Sequence, residues 1–221
     1  RHGLFVIEDA AQSFCATIDN RRAGSLASIG CTSFFPAKPL GCYGDGGAIF
    51  CDDAELDGVL RSIRVHGQGS DKYENVRLGL TGRLDAIQAA VLNVKLDIFD
   101  DEIDQRQRVA KRYSHMLGEA KVDLRAPHVP DGSVSAWAQY TVVASSVAMR
   151  TAYQARLAEK GIPTMIYYPK GLHEQLAFGN LGYARDDFPV TRDMADRVFS
   201  LPMHPYLGDA QIDEIVAALE N

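Results

Sequence analysis

Lys38 lies in a stretch of the sequence that is otherwise apolar, small or turn-forming. It stands between Pro36 and Pro39 in the segment CTSFFPAKPLGCYGDGGAIF, residues 31–50, beside a glycine-rich turn at residues 41–47. Pro39 disfavours helical backbone angles at Lys38, and Pro36 fixes the chain just before it. An amine among apolar side chains is poorly hydrated, which favours its neutral, nucleophilic form. Lys38 is therefore either a reactive amine that forms a Schiff base or a surface side chain whose stem packs on apolar neighbours.

A carboxylate and a hydroxyl lie at or near the ends of two predicted strands. Asp9 comes at the end of the apolar run at residues 4–8, and Ser33 lies near the end of a strand predicted over residues 28–35. Ligands of α/β proteins gather at the carboxyl ends of strands, although an acid in such a place can also be a plain helix cap. A carboxylate, an amine and a hydroxyl at neighbouring strand ends suit pyridoxal phosphate (PLP). That cofactor needs an anion for its pyridine nitrogen, an amine for its aldehyde and donors for its phosphate.

The elements that must position these residues alternate between strand and helix. Short apolar runs bounded by turn residues predict strands at residues 4–8, 28–35, 47–51, 138–144 and 164–168. Helical signals predict a helix capped by Asp52 and Asp53 that runs to Arg64, a long helix with a bend near residues 100–101 that ends about Leu117, a helix at 147–160 ended by Gly161, and two terminal helices. Leu84, Ile87, Val91 and Val94 share one face of the long helix. The pattern predicts an α/β fold with a second, smaller α/β domain.

Composition limits the classes of function. The formal net charge of −6 comes with one basic run, residues 105–112, whose helical spacing favours a solvated helix face over a nucleic-acid contact. We find no apolar run as long as a membrane span and no signal peptide. The cysteines (Cys15, Cys31, Cys42 and Cys51) form no CxxC pair and have no histidine at zinc-finger spacing. We therefore expect a cytoplasmic protein with reduced thiols and no metal, membrane or nucleic-acid partner.

Six motifs in order along the chain resemble one family. They are VIEDAAQ (6–12), GSLASIGCTSFFPAKPLG (24–41), GDGGAIF (44–50), RLGLTGRLDAIQAA (77–90), GIPTMIYYPKGLH (161–173) and LPMHPYL (201–207). Together they resemble the DegT/DnrJ/EryC1/StrS sugar aminotransferases, and the resemblance covers essentially the whole chain. It implies the aspartate-aminotransferase-like fold, fold type I of PLP enzymes. Residues 1–99 would then be the C-terminal portion of the large PLP-binding domain, and residues 100–221 the small C-terminal α/β domain.

The resemblance assigns roles around the cofactor. Lys38 would bind the cofactor aldehyde covalently and later move the proton between the amino carbon and the cofactor. Asp9 would pair with the pyridinium nitrogen, and Gln12 would hydrogen-bond the phenolic oxygen of the ring. Ser33 would donate to the cofactor phosphate.

Other roles implied by the resemblance lie further along the chain. The loop at residues 79–83 would reach into the active site of the other subunit of a homodimer. Thr81 would contact the cofactor phosphate there, although many relatives carry Asn at this position. Arg83 would bind acidic groups of the substrate, or else form an ordinary ion pair near a helix start.

Residues of the second half would bind the substrate. Tyr167, Tyr168 and His173 match positions that line the nucleotide-sugar pocket of relatives. Packing at a strand end is the alternative for the two tyrosines, and a plain loop position is the alternative for His173. We expect Trp137 and Tyr140 to belong to the core.

The function implied is transamination from L-glutamate to a keto group of a nucleotide-linked sugar. The detail of the Lys38 segment favours a UDP-3-keto-N-acetylhexosaminuronic acid, used in bacterial O-antigen and polysaccharide biosynthesis. Other 3-keto or 4-keto hexoses and aminohydroxybenzoate-type chemistry remain alternatives. The sugar dehydratases of the family are disfavoured because they carry histidine in place of the lysine.

Two alternatives lie outside this activity. Because family members are much longer at the N-terminus, and this chain has no initiator Met, we expect a segment to be missing and the isolated chain to be inactive. A non-catalytic fragment or regulatory homologue without productive cofactor binding is therefore the second hypothesis. A generic nucleotide-binding α/β domain is disfavoured because no GxGxxG motif follows a strand.

Overall fold

The computed structural model describes residues 2–220 of the chain. Within them the helices are α1 (Ala54–Arg64), α2 (Ala86–Leu96), α3 (Phe99–Glu119), α4 (Val147–Glu159), α5 (Pro189–Arg197) and α6 (Asp209–Glu220). The strands are β1 (Ile7–Asp9), β2 (Thr17–Ile18), β3 (Arg21–Arg22), β4 (Ile29–Ser33), β5 (Gly47–Phe50), β6 (Leu124–Arg125), β7 (Ser133–Val134), β8 (Tyr140–Ala144) and β9 (Val198–Leu201). Short 3₁₀ helices span Leu172–Glu174, Leu176–Leu181 and Arg185–Asp187. Arg1 and Asn221, the outer limits of the two predicted domains, lie outside the described residues.

The chain forms two compact units. The first runs to Ile103 and includes Val129–Ala138, and the second contains Asp104–His128 and everything from Gln139 onward. The predicted division at residues 99 and 100 stays a prediction.

The first unit is built on a sheet in the order β1-β4-β5. β1 runs parallel to β4, and β5 runs antiparallel to it. A small core lies beside the sheet, formed by Phe34, Leu40, Cys42, Leu92 and Phe99. The ring of Phe14 stacks on Phe99, with 5.8 Å between centroids. This core fixes the chain that follows β4, which is the segment containing Lys38.

Two apolar segments of the first unit are less buried than the sequence predicts. The predicted strand at residues 4–8 was expected to be buried on both faces, but β1 covers only Ile7–Asp9, and Ile7 is 61% exposed. β1 has β4 as its only neighbour in the described part of the chain, and the face of β1 that carries Ile7 and Asp9 is exposed there. On α2, Ile87 and Val94 are 76% and 69% exposed, whereas Val91 is partly buried and Leu84 precedes the helix, so the predicted apolar face is only partly covered.

The second unit contains an antiparallel sheet in the order β6-β8-β9. Its fully buried side chains include Tyr113, Tyr140, Leu157, Phe199, Ile212 and Leu219. Tyr140 therefore belongs to the core, as predicted.

The strand predicted at residues 164–168 is wrong. Only Met165 forms a bridge, to Ser200, and the neighbouring residues form no ladder. β8 pairs with β9, which the sequence pattern did not reveal. The hydroxyls of Thr141 and Ser200 lie 2.7 Å apart across that pairing. Pro163 and Pro169 bound the mispredicted segment and have no N–H to give to a ladder.

Candidate active site

Asp9 and Ser33 lie on the same face of the first sheet. Asp9 pairs in register with Cys31, and Ser33 is two residues further along the same strand, so the side chains point to one side. One carboxylate oxygen of Asp9 accepts a hydrogen bond from the backbone N–H of Ala11 at 3.0 Å. The Ser33 Oγ accepts from the Phe35 N–H at 3.2 Å, which leaves its own proton available to donate. This sheet face therefore presents an anionic acceptor and a neutral donor.

Glu8, the acid next to Asp9, has a different task. It points to the opposite face of the sheet, where its carboxylate accepts from the backbone N–H groups of Gly24 (2.7 Å) and Leu26 (2.8 Å). Glu8 therefore fixes the turn before β4. Asp9 is not a helix cap, because residues 11–15 form turns, and Gln12 is exposed within those turns.

Lys38 is held in a tight turn that follows β4. Its backbone N–H donates to the Phe35 carbonyl at 2.8 Å, and its side chain is partly buried. No hydrogen bond among residues 2–220 uses its amine. A Cβ atom on Gly41 would lie 2.6 Å from the carbonyl oxygen of Pro36, so only glycine permits the backbone to pass so close to the lysine turn.

Helix α2 fastens the loop after Lys38. The Lys95 Nζ donates to the Gly41 carbonyl at 2.5 Å, and the Gln88 carbonyl oxygen accepts from the Tyr43 N–H at 2.7 Å. Sequence reasoning missed both anchors, because an inward-facing lysine or glutamine on a helix has no local signature. The loop beside the amine is thus held by side chains about 50 residues further along the chain.

Thr81 and Arg83 both contact His66, a residue that sequence reasoning did not single out. The Thr81 hydroxyl lies 3.3 Å from Nδ1 of His66, and Nη1 of Arg83 lies 3.2 Å from Nε2. The sequence showed only that this histidine belongs to a polar, glycine-containing loop, and the structure gives both His66 and Gly67 a positive φ. Among the described residues Arg83 has this histidine and no carboxylate as its partner, so the ordinary ion pair is not formed there.

The second unit places its three predicted substrate residues differently. Tyr167 and Tyr168 line a cavity of about 660 Å³ together with Lys170, Gly171 and Thr191, and their rings meet edge to face. His173 does not line this cavity, because its ring packs on Phe188, with 4.6 Å between centroids. The tyrosines are thus available to a ligand, and His173 supports the loop.

Two other kinds of site are not found in the described residues. Within residues 2–220, no three His, Cys, Asp or Glu side chains come together as a metal site would require. No helix in the same range is both long enough and apolar enough to cross a bilayer.

The chain belongs to the DegT/DnrJ/EryC1/StrS aminotransferase family, which residues 1–220 match. Its fold is accordingly that of the type I PLP-dependent transferases, as predicted.

Three similar proteins show how much of the chain and of each relative the similarity covers. The chain is 46% identical, over 100% of its length, to a UDP-2-acetamido-2-deoxy-3-oxo-D-glucuronate aminotransferase of Pseudomonas aeruginosa, and covers 59% of that protein. It is 44% identical, over 98% of its length, to a pleiotropic regulatory protein of Geobacillus stearothermophilus, of which it covers 57%. Among solved structures, a DegT/DnrJ/EryC1/StrS aminotransferase of Brucella abortus superposes with a TM-score of 0.92 at 48% identity, over 99% of this chain and 57% of that one. The chain thus spans less than two thirds of the length of these relatives.

Proposed function

We propose that this chain forms part of a PLP-dependent aminotransferase that moves the amino group of L-glutamate to a keto group of a nucleotide-linked sugar. The observation that carries the proposal is the position of Asp9 and Ser33 on one sheet face, with the Lys38 amine in the turn that follows the same strand. Membership in an aminotransferase family supports the same chemistry.

The side chains fit the cofactor group by group. Asp9 keeps one carboxylate oxygen for the ring nitrogen, since the described chain uses only the other one. Ser33 keeps its proton for a phosphate oxygen. When bound, PLP supplies the electron sink that makes a proton on the amino carbon removable. The Lys38 amine would hold that proton at Nζ and return it, acting as a general base and then as a general acid.

The proposed sugar follows the named activity of one of the relatives. We take the substrate to be a UDP-linked 3-keto-N-acetylhexosaminuronic acid, because the Pseudomonas aeruginosa relative is named for such a substrate and is similar over the whole chain. Arg83 would bind the acidic group of the sugar. Tyr167 and Tyr168 would line the nucleotide-sugar pocket. We further propose that the product enters bacterial O-antigen or related polysaccharide synthesis in the cytoplasm.

We propose a homodimer with shared active sites. The exposed apolar side chains of α2, Ile87 and Val94, support it, as do Leu78 (97% exposed) and Leu80 (57% exposed) in the loop that contains Thr81. Large apolar side chains that are exposed in one loop and in the helix that follows it are expected at a protein interface. This surface would bring Thr81 of one subunit to the cofactor phosphate of the other.

A regulatory role is the second candidate. The 44% identity to a protein named as a pleiotropic regulator is the observation that favours it. Such a role would leave the fold intact and make Lys38 dispensable.

The two candidates are separated by absorbance. With PLP added to the full-length protein that contains this chain, we expect a visible band that disappears in Lys38→Ala and bleaches on addition of L-glutamate but not of D-glutamate. A protein that folds normally and shows no Lys38-dependent band would contradict the aminotransferase and favour the regulator.

A further inference from the structure

The ring of His66 lies between two side chains that have separate tasks in the proposed site. Its Nδ1 is 3.3 Å from the Thr81 hydroxyl, and its Nε2 is 3.2 Å from Nη1 of Arg83. The His66 backbone has a left-handed φ of 61°. Its N–H donates to the Leu80 carbonyl at 3.0 Å, and its own carbonyl accepts from the Asn75 amide at 2.7 Å. The position of the ring is thus set by the backbone of the loop.

Two glycines make this loop possible. A Cβ atom on Gly67 would lie 1.8 Å from the carbonyl oxygen of Arg77, and one on Gly79 would lie 2.0 Å from the Gly67 nitrogen. No side chain fits at either place. The loop therefore brings residues 66 and 81 together by direct backbone contact.

The chemistry of the three groups fixes the direction of each hydrogen bond. An arginine guanidinium only donates, so Nε2 of His66 must carry a lone pair to accept from Arg83. The ring proton of the neutral imidazole is then on Nδ1, and it donates to the Thr81 oxygen. Because that oxygen already accepts from His66, the hydroxyl proton of Thr81 points away from the ring. Thr81 is thereby set as a donor, and the remaining N–H groups of Arg83 stay available to an anion.

We propose that His66 is a positioning residue with two separate effects. Through Nδ1 it presents the Thr81 hydroxyl to the phosphate ester of the cofactor, and through Nε2 it orients Arg83 toward the acidic group of the sugar. The inference rests on the proposed function. It deepens that function by making one ring couple cofactor binding to the choice of an acidic sugar.

The first test needs neither cofactor nor activity. Nitrogen-15 NMR of histidine-labelled protein reports which ring nitrogen carries the proton, and His66→Asn identifies the signals of this residue. We expect the Nδ1–H form of His66 in the cofactor-free protein, and the Nε2–H form in Arg83→Met. An Nε2–H ring in the unaltered protein would overturn the proposal.

The second test separates the two effects with near-isosteric variants. The amide of H66N lies close to the place of Nδ1 and can still donate to Thr81, and asparagine tolerates the left-handed backbone. The longer H66Q places its amide oxygen near Nε2, where it accepts from Arg83 only. We expect H66Q to weaken PLP binding about tenfold relative to pyridoxal, which lacks the phosphate. We expect H66N to weaken binding of UDP-glucuronic acid about tenfold relative to UDP-glucose.

His115→Asn is the matched control, since His115 is exposed on α3 and pairs only with Glu119 in the described chain. It should leave both ratios unchanged. Equal weakening of PLP and pyridoxal, and of both sugar nucleotides, in H66N and H66Q would show a merely structural role and overturn the proposal. A normal Nδ1–H signal without any Lys38-dependent absorbance would instead contradict the proposed function while supporting the hydrogen-bond directions around His66.

Discussion

The adjacent acids Glu8 and Asp9 at the end of β1 have different roles because they point to opposite faces of the sheet. Both carboxylate oxygens of Glu8 accept hydrogen bonds from backbone N–H groups of the turn at residues 24–26. Asp9, on the opposite face, has one carboxylate oxygen that accepts no hydrogen bond within the described chain. The sequence placed Asp9 at a strand end, which is where ligands bind. It could not reveal the role of Glu8, because that role depends on a turn 16 residues away.

We therefore predict that the two acids fail in different ways when altered. Glu8→Ala leaves two N–H groups without an acceptor and should lower the free energy of unfolding by about 1–3 kcal/mol, measured by urea denaturation. Asp9→Asn should leave that free energy within about 0.5 kcal/mol of the original, yet lower the rate of transamination at least about a hundredfold. A stable, fully active Asp9→Asn protein would contradict the assignment of Asp9 to the cofactor.

In the second unit, elements whose ends are marked by nearby residues in the sequence were predicted better than the others. Ser146 caps α4 by accepting from the Met149 N–H at 3.2 Å, and Gly161 ends the region with a positive φ, so both ends of that helix were visible in the sequence. β9 was not visible. All four of its residues are buried, so it lacks the alternation of a half-exposed strand and follows α5 without a turn signal.

The buried Tyr113 of this unit makes the stability of the fold depend on pH. Burial raises the pKa of Tyr113 well above its ordinary value, and its hydroxyl donates to the Pro202 carbonyl at 3.0 Å. Above a pH of about 10 the unfolded chain loses this proton while the folded chain keeps it, so stability falls as the pH rises. Tyr113→Phe should be less stable by about 1 kcal/mol at pH 7 and should lose stability less steeply between about pH 10 and 11. Parallel pH profiles of the two proteins in thermal melts would contradict this account.

Exposed apolar side chains of α2 bear on how the whole molecule assembles. Periodicity placed Ile87 and Val94 on one face, and the structure leaves these two side chains exposed in the described chain. The sequence pattern could show that these residues need cover. It could not show which surface buries them, because the same apolar stripe on a helix can pack against the core of its own chain or against another subunit.

We predict that Ile87→Glu and Val94→Glu together abolish the dimer. Two charges placed in an apolar interface remain desolvated and unpaired, which is costly enough to separate the subunits. Light scattering after size exclusion should report a monomer for the double variant. Val147→Glu is the matched control, since Val147 is 48% exposed at the start of α4, where an acid is tolerated. A monomeric original protein, or a double variant that remains dimeric, would contradict the proposed interface.

The identity of the lysine that binds the cofactor tests the central claim most directly. The full-length protein that contains this chain is incubated with PLP and reduced with sodium borohydride, which fixes the cofactor to the amine that holds it. The protein is then digested and its peptides are mapped by mass spectrometry. The account predicts the label on the peptide that contains Lys38, and its loss when L-glutamate is added before reduction. A label spread over surface lysines such as Lys72 and Lys170, with none enriched at Lys38, would contradict it.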